Sequence, residues 1–283
     1  MMSSFSNLNP LNSMNLRQKT ILLIGLITLL LVLIFASSLS IDANSIVTNF
    51  TLRNQAPSLE HIFGTDWLGR DMFTRTIKGL GLSIMIGALA SILSSLVAMV
   101  MAFVSSVNKY GDLVMAWLID FFASIPHLLL LIMISICLGK GAFGVIIGVA
   151  CTHWTSLARV LRVEIKEIQN SEYVQLAERF GKNKLWVAKE HILPLVITQI
   201  IVGTLLIFPH AIMHEASITF LGFGLSPHEP AIGIILSESM SYLTTGAWWL
   251  AVFPGIMLLI IVLLFDILGE EVEKLLDPTK AQE

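Results

Sequence analysis

Tyr173-Val174-Gln175-Leu176-Ala177-Glu178-Arg179-Phe180-Gly181, followed by Ile192-Leu193-Pro194, is a polar island between two long apolar runs. Tyr173, Leu176, Ala177 and Phe180 recur at i, i+3, i+4 and i+7, the spacing of one helix face. Ser171 is placed to cap that helix, Glu172 suits its positive end, and Gly181 is a natural stop. A short helix with one apolar face, held between two spans, is built to sit in a groove on a soluble partner. The same pattern also suits an ordinary amphipathic loop helix, so the flanking runs decide what the island is for.

Those runs belong to a membrane protein. Hydrophobic residues make up 55% of the 283 and charged residues 13%, against roughly 25% charged in soluble domains; the mean hydropathy is +0.81. A helical span needs about 20 apolar residues. Such runs lie near Thr20–Leu39, Leu80–Ser105, Leu113–Leu138, Ala142–Val163, Ile192–Leu221 and Ala247–Leu268. None shows the alternation of a barrel strand, so the expected fold is all-α and integral to the membrane, with six transmembrane helices. The first run follows Arg17 and Lys19, and Ala36-Ser37-Ser38 could pass for a cleavage site. It exceeds the 7–15 residues of a signal-peptide core, so a retained span is expected.

With the amino terminus inside, Arg53, Arg70, Arg75, Lys78 and Lys140 face out and the rest of the 17 lysines and arginines face in. That asymmetry fits the positive-inside rule, puts Tyr173–Gly181 in the cytoplasm and leaves both termini there. Two domains are expected: residues 1–79, the first span and an extracytoplasmic linker, and residues 80–283, a five-helix core whose cytoplasmic loop covers about 164–191. The link at Asn108–Asp112 reads as a tight turn. A net charge of −3 gives no basic surface for nucleic acid. Cys137 and Cys151 sit inside spans, where a small apolar thiol is the ordinary reading.

The island and several other segments together resemble ABC importer permeases. Their cytoplasmic coupling loop reads Glu-Ala-Ala, three residues, Gly, nine residues, then Ile-x-Leu-Pro; Gln175, Leu176 and His191 depart from it here. Gly64-Thr65-Asp66-Trp67-Leu68-Gly69-Arg70-Asp71 is similar to the signature before the second span of the peptide/nickel branch. Asp120-Phe121-Phe122-Ala123-Ser124-Ile125-Pro126 resembles its third span and Glu215-Ala216-Ser217-Ile218-Thr219-Phe220-Leu221-Gly222-Phe223-Gly224 the end of its fifth. Phe253-Pro254-Gly255 and Leu276-Asp277-Pro278 resemble its closing span. Ile232, Leu195 and Asp266 stand where Trp, Asn and Asn are usual.

The resemblance implies a non-enzymatic transport subunit with no cofactor of its own, ATP being bound by partners. Consistently, the chain has no Gly-x-x-x-x-Gly-Lys-Ser/Thr loop. The implied partners are a second homologous permease, two cytoplasmic ATPases, an extracytoplasmic solute-binding protein and membrane lipid. Residues 173 and 175–181 would couple to the ATPases, with Glu178 and Arg179 at the groove's rim.

For cargo, His210 and His214 stand at i, i+4 on the fifth run, with His153-Trp154 on the fourth. Measured from Ile192, His210 falls about 27 Å along the helix, near the outer mouth. Two neutral imidazoles on one face can ligate nickel transiently, and can equally make a polar contact between helices. The His-x-x-x-His and the His153-Trp154 pair also look like the nickel-importing members of the branch. Nickel or a metal chelate is the expected cargo, with di- or oligopeptides as the alternative. Asp120, about 12 Å inside the third run, is expected to meet Arg159 of the fourth, because a lone carboxylate in a span is expensive. An intramembrane protease would need a nucleophile–base pair; Ser217 beside His214 has no oxyanion device. An ion channel or structural membrane protein is the remaining class.

Overall fold

The structure, a computed structural model, describes residues 15–42 and 46–276. The Asp277-Pro278 resemblance and Lys280 therefore lie outside the described residues. The described residues are helical, with no strand beyond an isolated bridge between Thr65 and Asp71. The long helices are α1 (Leu16–Ser40), α2 (Met72–Val107), α5 (Gly141–Gln169), α8 (Leu193–Phe220) and α10 (Trp249–Leu276). Shorter ones are α3 (Lys109–Ser124), α4 (His127–Cys137), α6 (Glu172–Arg179), α7 (Lys184–Val187) and α9 (Ile232–Leu243).

Five helices are long and apolar enough to span a bilayer, or six if α3 and α4, bent by 95° at a short break, count as one span. The third apolar run thus folds as two helices rather than one. Pro126 explains the break: its ring disfavours helical backbone at the residue before it, and Ile125 is extended at φ −93°, ψ 135°. The tight turn at 108–112 shrinks to one residue. Asn108 ends α2 and caps α3, its side chain accepting from the Gly111 N–H at 2.6 Å. α2 begins at Met72, ahead of the 79/80 boundary expected from apolarity.

α2 is the central post, packed by α1, α3, α5 and α8. Its buried face is a row of small residues, among them Gly87, Ala90, Ser91, Ser94, Ser95, Ala98 and Ala102. Small side chains let helices approach closely where lipid gives no hydrophobic drive. A Cβ on Gly87 would come within 2.6 Å of Ile212 of α8. One apolar cluster joins α2, α3, α5, α6 and the start of α8; a second runs along α1, α2, α8, α9 and α10, and a third joins α2, α4, α5, α8 and α9. α1 is peripheral, with 11% of its apolar window buried against 56% for α5. Lys78 of α2 tethers its end, donating to the Ser38 and Ile41 carbonyls at 3.0 and 2.9 Å.

Candidate functional site

α6 projects between α5 and α8. Its last turn closes with Gly181 at φ +80°, a left-handed position that glycine adopts without a Cβ penalty. The Lys182 N–H reaches the Ala177 carbonyl at 3.2 Å and the Gly181 N–H reaches Glu178 at 2.9 Å, the paired bonds of a Schellman motif. At the other end Ser171 occupies the cap position but its hydroxyl donates backward to the Ile168 carbonyl, so the expected side-chain cap is absent. Val174 is buried and Ala177 half-buried against the bundle. Tyr173, Leu176 and Phe180 are 45%, 51% and 82% exposed. The expected apolar face therefore points away from the body of the protein, apart from Ala177. Gln175, Glu178 and Arg179 are exposed beside it. The chain re-enters through α7 and a π-helical turn, Ala188–Ile192, before Pro194 sits in the first turn of α8.

The second candidate is a knot of three imidazoles. His127, first residue of α4, His153 of α5 and His214 of α8 each offer one nitrogen, all within 4.8 Å of one another. Ring centroids are 4.4 Å apart for 127–153, 4.7 Å for 127–214 and 5.0 Å for 153–214. The break at Pro126 is what brings His127 here. His153 is buried, and its Nδ1 lies 3.1 Å from the Val149 carbonyl. Thr152 Oγ1 lies at the same 3.1 Å; in the tautomer protonated at Nδ1 the ring donates to the carbonyl and Nε2 keeps its lone pair. The Nε2 of His127 is buried with no hydrogen-bond partner among the described residues. His210, one turn before His214, is exposed and outside the knot. Spacing singles out His210, His214 and His153; His127 joins them only through the bend, and its signal in the chain is Pro126 directly before it.

The expected Asp120–Arg159 pair is not formed: both residues are exposed and share no ion pair. The spans are joined instead by Asp112, which meets Arg162 Nη2 at 3.1 Å and Lys166 Nζ at 3.0 Å. That pair sits at the helix ends, where desolvating the charges costs less. Glu215 is fully buried and accepts from Thr219 Oγ1 at 3.0 Å; the same hydroxyl takes the Leu225 N–H at 3.3 Å, shaping the turn after α8.

Gly64–Asp71 forms a folded brace. Buried Asp66 accepts from the Leu68 and Arg70 N–H groups at 2.8 and 2.9 Å, from Arg70 Nε at 2.6 Å and from Arg75 Nη1 at 3.0 Å. Arg75 runs on to Glu238 of α9 at 2.6 Å. Asp71 caps α2 through the Thr74 N–H at 2.8 Å, and the Trp249 indole donates to the Thr65 carbonyl at 3.3 Å. Gly64 and Gly69, at φ +70° and +74°, turn the loop.

Residues 94–278 match the family of binding-protein-dependent transport system inner membrane components. The chain belongs to this family. It is a multi-pass inner membrane protein and a transport component rather than an enzyme; nucleotide in such systems is bound by partner ATPases. Among its relatives is the dipeptide transport system permease protein DppC of Bacillus subtilis, 32% identical over 81% of this chain and 72% of that one. The oligopeptide permease OppC of the same organism is 32% identical over 93% and 87%. A putative peptide permease of Brucella suis is also 32% identical, over 90% and 86%. A solved inward-facing MetNI methionine ABC transporter shares the fold, with TM-score 0.59 and 16% identity over 73% of this chain and 98% of that one. In this inner membrane component the family match includes α6 and all three knot histidines.

Proposed function

We propose that this permease forms half of the translocation pathway of an ABC importer, with α6 in the cytoplasm seated on an ATPase subunit. Its partners are a second permease, two ATPases and an extracytoplasmic binding protein. The observation that carries the reading is the free apolar face of α6, with Tyr173, Leu176 and Phe180 exposed on a helix rigidly capped at Gly181. Because α6 joins α5 to α8, a push on it is delivered to both helices. Rigid-body rocking about a central pathway is the usual membrane solution.

For cargo we retain nickel or a metal chelate, supported by the imidazole knot inside the spans. The second reading, di- or oligopeptides, is the one that the names of the relatives, DppC and OppC, favour over nickel. ATP-dependent uptake into vesicles holding the assembled transporter separates the two, with radioactive nickel and a labelled dipeptide offered in parallel with the cognate binding protein. Nickel uptake is the expected result; uptake of the dipeptide alone would move the cargo to peptides.

A further inference from the structure

We propose that His127, His153 and His214 together form a transit site for a single late first-row transition-metal cation, bound through three imidazole nitrogens. The proposal rests on the reading of this chain as an importer permease and names what passes at this point of its pathway.

Imidazole donors suit nickel, copper, cobalt and zinc, whereas magnesium and calcium prefer carboxylates and carbonyls. No Asp or Glu belongs to the group of three. An ion at 2.0–2.1 Å from tetrahedrally placed imidazoles separates its nitrogens by about 3.4 Å. The three donors lie within 4.8 Å of one another, so small side-chain rotations close them onto one ion.

Two features prepare the site for a metal. His153 Nδ1 lies 3.1 Å from the Val149 carbonyl, the kind of contact that commonly orients ligating histidines, and the tautomer protonated there leaves Nε2 free to bind a metal. His127 Nε2 is buried without a partner, an arrangement that native proteins rarely leave unexplained. Three protein ligands also leave coordination positions open for water or a chelator's donors.

The three ligands come from three elements. α5 and α8 flank α6, whereas α4 stands beyond the break at Pro126. α4 packs on α5 and barely on α8, so movement of α8 relative to that pair pulls His214 away from His127 and His153, and the site would tighten and loosen with the transport cycle. A cargo site must release what it binds, and this one has the means.

The test uses the assembled transporter in detergent, dialysed to equilibrium against radioactive nickel. Nickel K-edge absorption reports the ligand type, and His127→Gln, His153→Gln and His214→Gln are compared with the loop change His228→Ala. Expected are one nickel per copy of this chain, an imidazole shell, at least tenfold weaker binding in each Gln variant and no change in His228→Ala. Glutamine keeps much of the bulk, and unchanged size-exclusion behaviour with retained ATPases shows that a variant is folded. Wild type that binds no nickel, cobalt or zinc at millimolar concentration, or a triple variant that binds as wild type does, overturns the site. If wild type lacks bound metal yet still drives ATP-dependent uptake of a dipeptide, the site fails and the importer reading stands. If nickel is bound through imidazole but ATP hydrolysis moves no solute of either class, the importer reading fails and the site stands.

Discussion

Gly181 has open space where a side chain would go, so a substitution there acts through backbone conformation alone. A left-handed residue with a Cβ costs about 1–2 kcal/mol, and a β-branched one more. Gly181→Val is therefore expected to fray the end of α6 and lower solute moved per ATP several-fold, while the permease still reaches the membrane. Uptake and ATP hydrolysis measured in the same vesicles check this. Asp66 is a different case. It is fully buried and holds Arg75, itself 3% exposed, so Asp66→Ala leaves a buried guanidinium without that partner. A loss of about 3–5 kcal/mol is expected, read as a lower unfolding temperature of the purified transporter. Gly181 was legible in the chain because a glycine closing an amphipathic run has a local explanation. The Asp112–Arg162 pair was not: helix ends and mid-span positions look alike until the helices are packed, and the expectation fell on Asp120 and Arg159.

At the scale of elements, five of the six apolar runs correspond to single helices long enough to span, because hydropathy reports contact with lipid directly. It does not report bends. Leu113–Leu138 reads as one continuous run, yet α3 and α4 meet at 95°. The constraint was local and readable at Ile125-Pro126, but a run long enough to span gives no reason to break. α9, a short apolar helix between α8 and α10, is likewise hidden in a Pro-flanked connection. The bend gives a direct prediction. Pro126→Ala removes the ring clash that keeps Ile125 out of helical backbone, so α3 should extend and carry His127 away from His153 and His214. Nickel affinity of the assembled transporter should fall at least tenfold, with helical content by circular dichroism unchanged or slightly raised. Wild-type affinity in Pro126→Ala would mean that the bend does not position the site.

At the scale of the whole molecule, the candidate coupling helix and the histidine knot are far apart and mechanically joined. From Gln169 at the end of α5 back to His153 is about 24 Å at 1.5 Å per residue, along one helix packed on α2 and α8. Asp112 clamps α3 to this helix near the α6 end, so a push on α6 meets a stiff lever. On the proposed function, this lever would carry movement of a partner ATPase to the proposed histidine site. It requires α6 to be where the ATPase grips. Tyr173, Leu176 and Phe180 make no core of this chain, and a partner seated on α6 would cover them. The most direct test is retention of the ATPases by the purified permease pair carrying Leu176→Glu with Phe180→Glu. The expected result is that wild type keeps its ATPases and the double variant loses them while still pairing with the second permease. ATPases that remain bound to the double variant, with unchanged ATP-driven uptake, would contradict the account.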